Sequence, residues 1–140
     1  MEIFMSGEID SSVSDLFGEV CNEIEQKLKV LETNDYGTEV ESIGIIPIIV
    51  NLSPDLEDAG FFKERKLFSK KKKDADYRLR IDYAKFVNAD REIKKLLILK
   101  NVITCIRLLS EKATKDFDAK RLENDIFMLF EVAKEKIDAI

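Results

Sequence analysis

The chain has 140 residues, 45% apolar and 36% charged, which suits one globular domain spanning residues 1–140. It holds no histidine, which removes the commonest general base, the Ser-His-Asp and Cys-His nucleophile arrangements and most zinc sites. Five scattered glycines form neither GxGxxG nor GxxxxGK[ST], so no phosphate-cradling loop is expected. An enzyme would have to work with carboxylates alone, two of them converging in a pocket with at least one pKa displaced; against that reading we expect no catalytic residues, no metal and no cofactor.

No run approaches the ~20 apolar residues that span a bilayer, so no membrane partner is expected. The opening MEIFMSGEID lacks the basic start and long apolar segment of a secretory signal. Cys21 and Cys105 fall inside helical patterns as small core residues. Together these features point to the cytoplasm.

Taken in chain order, residues 2–5 (EIFM) read as a first strand. Ser12 and Asp15 match a capping box, opening a helix with Val13, Leu16, Phe17, Val20, Cys21, Ile24, Leu28 and Leu31 as one apolar stripe. Gly18 weakens that helix by about 1 kcal/mol relative to alanine. Asn34–Gly37 is a turn cluster. Residues 39–52 read as a strand whose even positions, Val40, Ile46, Ile48, Val50 and Leu52, form the apolar face. Its odd positions also turn apolar in the middle, at Ile43, Ile45 and Ile49, so the centre of the strand is expected to be covered on both faces. Pro47 lacks a ladder donor, which calls for a bulge near Gly44–Pro47 or an edge location.

Residues 53–60 read as a loop or single helical turn, and 61–70 as a basic strand. Residues 71–76 read as a turn before the cleanly alternating strand 77–83, making an antiparallel hairpin. Asn88 is the expected cap of a helix running to about Ala113. A last helix begins near Asp116 or Asp118 and continues to the end. Apolar runs at Leu96–Leu99 and Phe127–Phe130 widen these two helices, for burial on two sides or for a dimer interface. The order β-α-β-β-β-α-α predicts an α+β fold: an antiparallel sheet of about four strands, with three main helices packed mostly on one face.

Net charge is −5, but the signs are segregated. Residues 1–62 hold two lysines against fourteen acids, net −12; residues 63–80 hold nine bases against three acids, net +6. Such asymmetry marks an interaction surface unless folding brings the two signs together to screen one another. Glu8, Asp10, Asp15, Glu19, Glu39 and Glu41 form the acidic candidate set, suited to a basic partner protein. A metal reading is poorer, because Glu8-Ile9-Asp10 offers two of the several carboxylates a hard cation needs on one loop. The basic candidates are Lys63, Arg65, Lys66, Lys70, Lys71, Lys72, Lys73, Arg78 and Arg80, with Phe61, Phe62, Phe68 and Tyr77 available to stack on bases. Alternation turns those aromatics toward the core, and a pI near 5 opposes binding to nucleic acid.

The blocks IFMSGEID, ESIGIIPIIVNLSPDLEDAGFFKERKLFSKK and ADYRLRIDYAKF, in that order, resemble a bacterial immunity-protein family of polymorphic toxin and contact-dependent growth inhibition systems. The resemblance runs over about residues 3–130. It implies a cytoplasmic non-enzyme that binds a cognate toxin C-terminal domain encoded by a neighbouring gene. Such toxin domains are often nucleases, and the antidote blocks the active site or a substrate-entry surface. Under this reading the acidic set is the docking face, on charge alone. The alternative is a nucleic-acid-associated module using the basic hairpin 63–80. Oligomeric state stays open.

Overall fold

A computed structural model describes residues 2–5, 14–37, 40, 42–50, 61–66, 74–112 and 116–140; for 14–16, 50, 61–66, 74–76 and 112 the description is of the backbone. Strand β1 (Glu2–Met5) leads to helix α1 (Ser14–Leu28), which tightens into a 3-10 turn over Lys29–Thr33. Strands β2 (Ser42–Val50), β3 (Phe61–Lys66) and β4 (Asp74–Asp82) follow. Four helices complete the chain: α2 (Tyr83–Val87), α3 (Arg91–Lys112), α4 (Ala119–Leu129) and α5 (Lys134–Ala139).

The expected antiparallel sheet is overturned. The strand order is β1-β2-β4-β3; β1, β2 and β4 are mutually parallel, and β3 alone runs antiparallel, beside β4 at the edge. The reason lies in the connections. Helix α1 carries the chain back past β1, so β2 enters in the same direction as β1. The chain then skips one position to β3 and returns through an antiparallel pairing, which places β4 in the gap beside β2. The apolar run Ile43–Ile49 is the signature of such a central parallel strand.

The two faces of β2 are covered unequally. Ile43, Ile45, Pro47 and Ile49 are buried, aligned with Tyr77, Leu79 and Ile81 of β4, whereas Ile46 and Ile48 lie half-buried on the outer face opposite Arg78 and Arg80. Val40 is buried just before the strand. The side chain of Val50, and Leu52 altogether, lie outside the described residues.

Pro47 needs neither a bulge nor an edge strand. Ile3 and Met5 send their N–H groups to side chains outside the sheet, so Glu2 and Phe4 face β2. Parallel ladder rules then turn Ile43 and Ile45 toward β1, and Pro47 shares their parity. Strand β1 ends at Met5, opposite Ile45, two residues short of Pro47, so the missing donor breaks no β2–β4 bond. The expected turn at 71–76 is partly strand, because β4 already begins at Asp74.

Helix α1 covers β1, α3 covers β2 and β4, and α4 and α5 pack on α3. The α1 stripe is buried at Phe17, Val20, Cys21, Ile24 and Leu28, continuing to Leu31 in the 3-10 turn. Phe17 meets Phe86 of α2 edge-on, with ring centroids 5.5 Å apart. Ser12, half of the expected capping box, lies outside the described residues. Leu96, Leu97, Ile98 and Leu99 are all buried, because α3 is covered by the sheet on one side and by helices on the other.

Two helix boundaries differ from expectation. Asp90, not Asn88, caps α3, its Oδ1 accepting the Ile93 N–H at 2.9 Å; Asn88 instead ends α2. The last helix is broken in two. Val132 N–H donates to the Phe127 carbonyl and Glu131 N–H to the Met128 carbonyl, with Glu131 in the left-handed region at φ 54°. That is a Schellman stop, normally signalled by glycine and here made by glutamate.

Candidate functional site

Glu19, on the exposed side of α1, is the one acidic candidate with a described side chain. Its Oε2 lies 3.7 Å from Arg91 Nη1. One turn on, Glu23 receives Arg91 Nη2 at 3.2 Å and Lys95 Nζ at 3.1 Å. The Lys95 hydrogen bond, helped by Arg91 and opposed by burial, holds the Glu23 carboxyl below its usual range. Packing α3 against α1 therefore screens part of the acidic face. Sequence separation of charge does not survive folding here. Asp15 sits in the first turn of α1, and Glu8, Asp10, Glu39 and Glu41 lie outside the described residues.

A second acidic group forms elsewhere. Asp35, Tyr36 and Gly37 face Asp116, Phe117 and Asp118 across a shallow, open cleft of about 460 Å³. All three aspartates are exposed. The Asp118 N–H donates to the Tyr36 carbonyl at 2.7 Å, tying the turn after α1 to the start of α4. Asp35 Oδ1 accepts the Gly37 N–H at 2.9 Å, and Asp118 Oδ1 caps α4 by accepting the Arg121 N–H at 3.1 Å.

Behind the cleft the Tyr36 hydroxyl donates to Asp125 Oδ2 at 2.7 Å and accepts from Asn34 Nδ2 at 3.2 Å. Burial first, and then the Asp125 carboxylate, pushes the Tyr36 phenol up. The Arg121 guanidinium lies 5.3 Å from the Tyr36 ring centre and donates from Nη1 to the Asp35 carbonyl at 2.9 Å. A rigid wall of this kind, carrying exposed carboxylates, suits the capture of cationic side chains. Sequence reasoning missed it: Asp35 and Asp118 belong to distant segments that register only as a turn and a helix start.

The described basic candidates fall on two paired strands, with Lys63 of β3 in register with Arg78 of β4. Lys63, Arg65 and Lys66 fall on edge strand β3, and Lys70, Lys71, Lys72 and Lys73 lie outside the described residues. Arg78 and Arg80 are half-buried on the outer sheet face, paired in register with Ile46 and Ile48. Cys21 and Cys105 are buried and form no disulfide, and burial, with Glu25 adding to it, pushes the Cys21 thiol up to about 12. Among the described residues no group of three His, Cys, Asp or Glu could hold a metal ion, and no helix is long and apolar enough to cross a membrane.

No curated protein and no solved structure matches the chain. A family model described as immunity protein 44 matches residues 1–131.

Proposed function

The chain belongs to the immunity protein 44 family, and on that premise we propose that it binds and neutralises a cognate bacterial toxin domain, as a stoichiometric partner and not as a catalyst. The family match across residues 1–131 carries this reading. We further propose that the toxin is a nuclease encoded by a neighbouring gene, and that the complex forms in the cytoplasm. A nuclease must attract phosphates, so a basic cleft is its natural surface, and an acid-rich antidote covers such a cleft with favourable steering. The fourteen acids of residues 1–62 support that docking mode, with Glu8, Asp10, Asp15, Glu39 and Glu41 as its proposed contacts. Glu19 is a weaker contact, since Arg91 already competes for its carboxylate. Asp35 and Asp116 extend the proposed acidic surface to the cleft.

The experiment is co-expression with the toxin domain encoded immediately upstream. The expected result is a stable complex and restored growth. A folded chain that neither binds nor rescues would overturn the immunity reading for that pair. Docking is tested separately by two neutralised variants of the complex, E8Q/D10N/E39Q/E41Q and D35N/D116N. Each should slow association and flatten its dependence on salt. Unchanged kinetics in both would remove the acidic docking mode and leave the family assignment intact.

A further inference from the structure

Strand β1 stands at one end of the sheet, so the side it turns away from β2 is where another strand would add. Both N–H groups on that side are already occupied. Ile3 N–H donates to Glu32 Oε1 at 3.3 Å, and Met5 N–H donates to Glu25 Oε2 at 2.6 Å. The two carboxylates come from different places, Glu25 from the last turns of α1 and Glu32 from the 3-10 turn that follows. Both are half-buried, so they lie against the strand rather than swing in solvent. Phe4, between the two donors, is 51% exposed on the outer face of the sheet.

We propose that Glu25 and Glu32 form a guard that closes the β1 edge to a second copy of this chain. A second copy is the occupant the geometry fits. Two β1 edges related by a two-fold axis would run antiparallel, each offering the donors and carbonyls of Ile3 and Met5 to the other. The pairing would also bring the two Phe4 rings onto one sheet face, adding apolar burial to the new hydrogen bonds. Side-chain acceptors that reach the edge first deny the incoming carbonyls their donors. Short length and carboxylate cover together are a recognised way for a protein to blunt an exposed edge. This inference concerns the free chain and stands independently of any toxin.

The test compares E25A/E32A and E25Q/E32Q with the unsubstituted chain by sedimentation velocity over a wide concentration range. The alanine pair should dimerise at least roughly tenfold more tightly, a difference of about 1.4 kcal/mol. The glutamine pair keeps a side-chain carbonyl for each N–H and should associate as the unsubstituted chain does. Equal association in all three overturns the guard, and so does equal tightening by alanine and glutamine, which would make charge the cause. Amide exchange on the unsubstituted chain decides the matter should the alanine pair fail to fold. Occupied donors predict that Ile3 and Met5 exchange at least roughly tenfold more slowly than free peptide amides at neutral pH. Free-peptide rates at both positions would overturn the proposal.

Discussion

The backbones of Gly37 and Asp116 touch so closely that a Cβ at position 37 would stand 1.6 Å from the Asp116 carbonyl oxygen. Gly37 also has φ +118°, and Asp116 is itself left-handed at φ 56°. The contact fuses the turn after α1 to the segment that opens α4 and thereby forms the floor of the acidic cleft.

Replacing Gly37 with alanine should therefore be severe. Both the dihedral angle and the collision with a backbone oxygen oppose it, and a loss of about 3 kcal/mol or more is expected. Urea unfolding of Gly37→Ala checks this, and a loss below about 1 kcal/mol would mean the two segments separate easily.

Gly18 predicts the reverse. It is exposed in α1, and nothing lies within 4 Å of where its Cβ would be. Gly18→Ala should stabilise the chain by about 0.5–1 kcal/mol through helix propensity, read as a higher unfolding midpoint with an unchanged slope.

Glu131 ends α4 in a conformation that costs an L-residue about 1 kcal/mol and glycine almost nothing. Glu131→Gly should raise stability by up to about 0.5 kcal/mol, once the extra entropy of glycine in the unfolded chain is subtracted. Glu131→Val should lower it. Thermal melts of the two variants should bracket that of the unsubstituted chain.

Cys21 gives the chain an alkaline weakness. Its thiol is pushed from 9.0 to about 12 by burial and by Glu25, so the folded state holds a proton that the unfolded state releases first. The contribution of this thiol is then steady below pH 9 and falls as pH rises toward about 12, by up to about 1.4 kcal/mol per unit. Tyr36, raised by its own burial, adds to the fall. Urea midpoints measured between neutral pH and about pH 11 should drop less steeply in Cys21→Ala. An unaltered slope would assign the alkaline loss elsewhere.

Much of the local structure was legible. The α1 stripe, the alternation of Tyr77, Leu79 and Ile81 against Arg78 and Arg80, and Asp118 as a helix start all follow from short-range periodicity and capping. The Schellman stop at Glu131 was not legible, because the residue that marks such stops is absent. Asp90 displaced Asn88 as a cap because α2, one short helix, fills the space between β4 and α3. Of the acidic candidates the structure describes Glu19, and it shows that residue sharing Arg91 with Glu23. No sequence pattern pairs α1 with α3 in that register.

The sequence by itself determined the main strands and the long helices, though not α2 or the break after α4, and it determined which thiols are buried and how far charge is segregated along the chain. Those properties depend on neighbours within a few residues, through side-chain spacing, capping and propensity. Only the tertiary structure decided that β2 runs parallel to β1 and β4, that its odd face is inward, and that Pro47 lies past the end of β1. It also decided which charges meet: Arg91 and Lys95 screen Glu19 and Glu23, while Asp35, Asp116 and Asp118 share one open cleft. Strand direction and charge pairing are relations between distant segments. They are set by how the apolar faces of whole elements are buried together, which no local pattern encodes.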